Sequence, residues 1–140
     1  MGATSWEWSQ AIDVWLSESG ENAGRFAAAG WGALAAAWAG EEQGEAEEAR
    51  RCRERAVEFW RRAEEAGESI TRRGLPVAQL LLAETLRRLG RFEEAHWCCR
   101  RGLSGRPADP VRSLLEFEIE LLSREDTEAH SVDEAICRRT

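Results

Sequence analysis

Leu86-Arg87-Arg88-Leu89-Gly90-Arg91-Phe92-Glu93-Glu94-Ala95-His96-Trp97 reads as the end of one helix, a glycine stop and the start of the next. Glycine serves at such a stop because the residue after the last turn takes a left-handed backbone that a Cβ opposes. Upstream, Gln79, Leu82, Ala83 and Leu86 recur at helical spacing; downstream, Ala95, Cys99 and Gly102 do the same ahead of Pro107. Large side chains alternate with small ones, which lets two antiparallel helices approach closely. The spacing predicts helices from Pro76 to about Leu89 and from Arg91 to Leu103, the second ended by Gly102, Gly105 and Pro107.

The same spacing of large and small residues precedes this stretch. Trp31, Leu34, Ala35 and Trp38 come first, then Ala56, Phe59, Trp60 and Ala63. The interval from Trp31 to Ala56 is nine residues longer than that from Gln79 to Ala95, about two and a half helical turns. The first hairpin is therefore expected to be overlong, through a projecting second helix or a wider connection around Gly40 to Gly44.

This double pattern resembles the tetratricopeptide repeat, a helix-turn-helix unit of about 34 residues. Pro76 to Asp109 has that length, keeps small residues at Ala83, Ala95 and Gly102, and carries Leu89 to Ala95 where the family has its inter-helix turn. The resemblance implies an all-α fold, with two helical hairpins stacked as a short right-handed solenoid in one domain over 1–140. An N-terminal helix is expected over 5–18, repeat one over 25–66, repeat two over 76–107 and a capping helix over 109–123. The order of a Trp-bearing helix, a long charged helix and Leu86 to Trp97 is also similar to the repeat half of an uncharacterised bacterial family. Members of that family begin with a cysteine-rich segment that has no counterpart here, so the likeness spans residues 25–105 and brings no metal site.

The remaining chain fits around these hairpins. Trp8, Ile12, Trp15 and Leu16 share a helical face, and Gly20-Glu21-Asn22 breaks the pattern, with Asn22 placed to cap the next helix. Asp109 is placed to cap the last helix and Pro110 to open it, with Val111, Leu114, Leu115, Leu121 and Leu122 as its apolar face. The polar tail over 124–140 is expected to fray, apart from a short helix beginning at Ser131 or Val132.

Composition narrows the function classes. Every one of the 19 basic residues is Arg, and Tyr and Lys are absent, as a GC-rich genome favours. A net charge of -7 with interspersed signs argues against nucleic-acid binding, which needs a gathered basic face. The apolar run from Phe26 to Ala39 is too short and too rich in Ala and Gly to span a bilayer. No membrane partner is expected. Cys52, Cys98, Cys99 and Cys137 show no Cys-x-x-Cys spacing and no secretory signal opens the chain, so a reduced, cytoplasmic protein is expected.

No nucleophile motif or phosphate loop is present, and neither an enzyme nor a cofactor is expected. Glu93 and His96 have the spacing of a di-iron half-site, but no second such pair exists. The leading reading is a protein-interaction module, an adaptor or scaffold that binds a peptide or helix in a concave groove or associates with itself. In the tetratricopeptide family the first helix of each hairpin lines that groove. Here the resemblance implies Val77, Leu80, Glu84, Arg87 and Arg88 in repeat two, and Ala29, Gly32, Ala36 and Ala39 in repeat one. Such a groove, smooth with cations at one end, suits a partner bearing acidic residues. The family's carboxylate clamp needs Lys and Asn there, and both are missing. The competing reading is that the groove is filled by the first helix or by a second copy in a homodimer. Trp97 and Trp6, away from the apolar stripes, are the candidate surface anchors. The alternative from another class is a thiol or metal site using His96, Cys98 and Cys99.

Overall fold

Five helices form in the computed structural model, which describes residues 24–71, 74–128 and 130. They are α1 (Arg25–Glu42), α2 (Ala46–Glu65), α3 (Leu75–Arg88), α4 (Phe92–Ser104) and α5 (Val111–Ser123), and no strand occurs among the described residues. The expected helix over 5–18, the Asn22 cap, Trp6 and the segment beyond 130 lie outside them. The described residues fall into two compact units that divide near residue 72. Each has its own core.

In the first unit, α1 and α2 pack against each other across the turn Gln43-Gly44-Glu45. In the second, α3 and α4 pack across Leu89-Gly90-Arg91, a turn of the same build. Gly44 and Gly90 have φ of 79° and 78°, and the N–H of Glu45 and of Arg91 donates back to the carbonyl of Gly40 and of Leu86. The equal turns settle how the two hairpins correspond. Ala49 takes the place of Ala95, Cys52 that of Cys98 and Ala56 that of Gly102, and all are buried. The first hairpin is overlong because its helices are longer, 18 and 20 residues against 14 and 13, while the connection is not wider. Matching Ala56 to Ala95, as the large–small spacing suggests, is out of register by two turns. A plainer sign was present: Gly44-x-x-Glu47-Glu48-Ala49-x-x-Cys52 and Gly90-x-x-Glu93-Glu94-Ala95-x-x-Cys98.

The core of the first hairpin is built on a close approach. Gly30 admits the indole of Trp60, and a Cβ there would stand 2.4 Å from the ring. Trp31 meets Trp60 edge to face at 5.5 Å between centroids and donates its indole N–H to the Ile70 carbonyl at 2.8 Å. The first turn of α1 holds no acidic residue of its own. Glu68 supplies one, accepting both the Phe26 and Ala27 N–H groups at 3.0 Å. A carboxylate there satisfies otherwise unpaired helix donors and favours the positive end of the helix dipole.

In the second unit α3 is buried nearly all round, from Val77 through Arg87. A helix buried on nearly every side is a central one, and α5 packs against both α3 and α4. Gly102 lets α4 seat between Gln79 and Leu115, whose side chains would stand 3.0 to 3.2 Å from an added Cβ. The final helix begins one residue later than expected, at Val111, yet Asp109 still caps it by accepting the Ser113 N–H and hydroxyl.

Candidate functional site

The groove expected on α3 is not open. Val77, Leu80, Glu84 and Arg87 are all buried, Leu80 and Arg87 completely. The tetratricopeptide resemblance implies an open groove here, because in that family the first helix of each hairpin lines it. In α3 the second face carries Val77, Ala78 and Leu81, so it too is drawn from water. On α1 the expected lining is closer to solvent: Gly32, Ala36 and Ala39 are exposed and Ala29 is half-buried.

Arg87 organises the C-terminal part of this unit. Its Nε donates to Glu118 of α5 at 2.6 Å, and one terminal nitrogen donates to the carbonyls of Asp126 and Glu128 at 2.9 and 2.7 Å. The other terminal nitrogen lies 3.9 Å from Glu84 without a hydrogen bond. Arg88 donates to the carbonyl between them, of Thr127, at 2.8 Å. The chain reaches these arginines through Glu125, whose φ of 51° turns it back after α5. Within the returning segment Asp126 accepts the Glu128 N–H and pairs with His130, whose ring stands edge-on to Phe117 at 5.6 Å.

Charge in this cluster is crowded. Glu84 and Glu118 face the buried Arg87 guanidinium, Arg88 lies 3.7 Å from Glu84, and burial penalises a charged carboxylate. Burial pushes Glu118 up to about 7, Arg87 pulls against it and Glu84 adds to the rise. For Arg87, burial works downward, but Glu118 and Glu84 outweigh it and raise the guanidinium further. Burial also works to raise Asp126, yet the Glu128 N–H and His130 hold it below the usual carboxylate range.

These directions fix a pH dependence. Glu118 titrates higher in the folded chain than its ordinary 4.5, so its contribution is full below about 4.5 and is lost as the pH rises through about 7. Asp126 contributes above its ordinary 3.8 and loses that contribution as the pH falls through its lowered folded value. The thermal midpoint is expected to fall between pH 5 and pH 7.5, and to fall less in Glu118→Gln. Parallel melts at the two pH values, followed by circular dichroism, check this; equal slopes in both proteins would assign the effect to other groups.

The thiol and metal residues do not converge. Cys98 and Cys99 are buried and in no disulfide, and burial pushes the Cys99 thiol far up, away from the reactive thiolate. His96 is half-buried and accepts Arg100 Nε at 3.2 Å through its Nδ1. No group of three or more His, Cys, Asp or Glu side chains is placed to hold a metal among the described residues.

Trp97, the candidate anchor that falls among the described residues, is open, with 58% of its surface exposed. The Arg101 guanidinium lies over its ring at 5.2 Å, one helical turn on. A cation over an indole face is attracted by the ring's negative face, which favours this arrangement of the two side chains. Together with Arg100 it makes a cationic, aromatic surface on α4.

No protein-family model, curated protein or solved structure matches this chain. Its function therefore has to be argued from the chain's own chemistry. No described helix is long and apolar enough to cross a membrane.

Proposed function

We propose that this chain is a non-catalytic protein-interaction module of helical hairpins, tetratricopeptide-like in kind, whose contact surface is the face of α4 around Trp97. The observation that carries the reading is the exposed indole, clamped by Arg101 on a helix whose other face is packed into the core. Exposed tryptophan is costly to leave in water, and Trp and Arg together are the residues most enriched where binding energy concentrates. With Arg100 and Arg101 beside it, the surface suits a protein partner presenting an acidic side chain next to an apolar one.

Trp97→Ala is expected to leave the unfolding midpoint nearly unchanged, because so little of the ring is buried. It is expected to weaken partner capture from the source lysate at least tenfold, and Arg101→Glu should do the same. Capture that survives both variants would remove this surface from consideration. If light scattering shows a homodimer that Trp97→Ala dissociates, the partner is a second copy of the chain.

A further inference from the structure

We propose that Glu125 to Glu128, together with His130, form a releasable strap, and that the α3 surface beneath it is a second binding site, which takes an extended acidic segment through its main-chain carbonyls. This does not rest on the Trp97 surface, and its test does not read that surface.

Three observations lead to it. First, Arg87 and Arg88 hold three successive carbonyls, of Asp126, Thr127 and Glu128, so most of the recognition falls on the strap's backbone. A site that reads carbonyls tolerates many sequences, as do other sites that bind extended chains. Second, the bound segment is acidic, Glu125-Asp126-Thr127-Glu128, and the Asp126 carboxylate lies 3.9 Å from Arg87. The chain thus holds, in cis, the kind of ligand that a cationic groove end was expected to take in trans. Third, the described residues of the strap contribute little core. Glu125, Thr127 and Glu128 are exposed, and its ring contact is His130 on Phe117. Segments with few buried apolar groups open at a small fraction of the global unfolding free energy.

The charged and titratable groups facing Arg87 are Glu84 and Arg88 on α3, Cys99 on α4, Glu118 on α5, and Asp126 and His130 in the strap. When the strap lifts, the guanidinium keeps Glu118 and loses its two carbonyls. It is then a donor in need of acceptors, and an incoming segment restores them. A tethered strap competes at an effective concentration of about millimolar, so the closed chain should bind such a segment weakly.

The probe is a fluorescently labelled peptide with the sequence Leu122 to His130, followed by polarisation against the full chain. Asp126→Ala with His130→Ala loosens the strap and keeps the Arg87, Arg88 and Glu118 side chains in place. That double variant is expected to bind the peptide at least tenfold more tightly than the parent. Adding Arg88→Ala, which removes the hydrogen bond to the Thr127 carbonyl, should lower the affinity severalfold again. A peptide with Gln and Asn in place of its three acidic residues should bind more weakly than the acidic one. No binding to the loosened chain, equal binding by loosened and parent chains, indifference to Arg88, or equal binding of the neutral peptide overturns the proposal. Hydrogen exchange on the unaltered chain gives an independent reading. Amides of the strap are expected to exchange at least a hundredfold faster than those of α3, and exchange at the rate of α3 would show that it does not release.

Discussion

Arg87→Ala is expected to destabilise the chain by about 3–5 kcal/mol, a loss on the scale measured when one partner of a buried ion pair is removed. The guanidinium is wholly buried, and three acceptors depend on it: the Glu118 carboxylate and the carbonyls of Asp126 and Glu128. Truncation leaves all three without this donor, and the Glu118 carboxylate is left where water reaches poorly. Glu118 suffers most, since it is itself buried and sits beside Glu84. Urea denaturation at neutral pH measures the loss. Lowering the pH to about 5 should recover part of it, because a protonated Glu118 no longer needs a counter-charge. Arg87→Met combined with Glu118→Leu is expected to be much less damaging than Arg87→Ala, because replacing both partners removes the desolvation penalty along with the attraction. A double variant as unstable as the single one would mean that the strap carbonyls, and not Glu118, are what Arg87 chiefly serves.

Arg87 also shows where the sequence was legible and where it was not. The pattern Gly90-x-x-Glu93-Glu94-Ala95 located a turn and two helices correctly, because a left-handed glycine and close-packed small residues are local requirements that local sequence must meet. The burial of Arg87 is not local. Its partners stand 31 to 41 residues further along the chain, and nothing in Leu86-Arg87-Arg88-Leu89 marks one arginine as central and the next as peripheral. Position within the repeat implies a groove, and the arginines at one end of it imply an acidic ligand. The acidic stretch at Glu125 to Glu128 has the polar composition of a fraying tail, and nothing local ties it to Arg87. Trp97 was readable for the opposite reason. It falls outside the stripe of Ala95, Cys99 and Gly102, and a residue off the stripe of an amphipathic helix faces water whatever the distant chain does.

Trp60→Ala is the second large effect expected, about 3–5 kcal/mol for emptying a fully buried indole site. The ring fills the space left by the missing side chain of Gly30 and meets Trp31 edge to face, so its removal opens a hole that neither neighbour is placed to fill. Against a stability of about 5–15 kcal/mol for an ordinary domain, such a loss is a large fraction of the whole. Circular dichroism in a urea titration is the suitable measurement, since the fluorescence would change with the indole itself. Trp60→Phe should cost less, for it keeps a ring and removes an indole N–H that has no hydrogen-bond partner. The decisive comparison pairs the site with Gly30. Gly30→Ala alone is expected to destabilise, because its Cβ would overlap a rigid ring rather than the end of a flexible chain. In the Trp60→Ala background the same change adds a methyl group to an empty space and replaces a mid-helix glycine, so its sign should reverse. If Gly30→Ala were equally harmful in both backgrounds, the two residues would be independent, and the packing of α1 on α2 could not depend on their close approach.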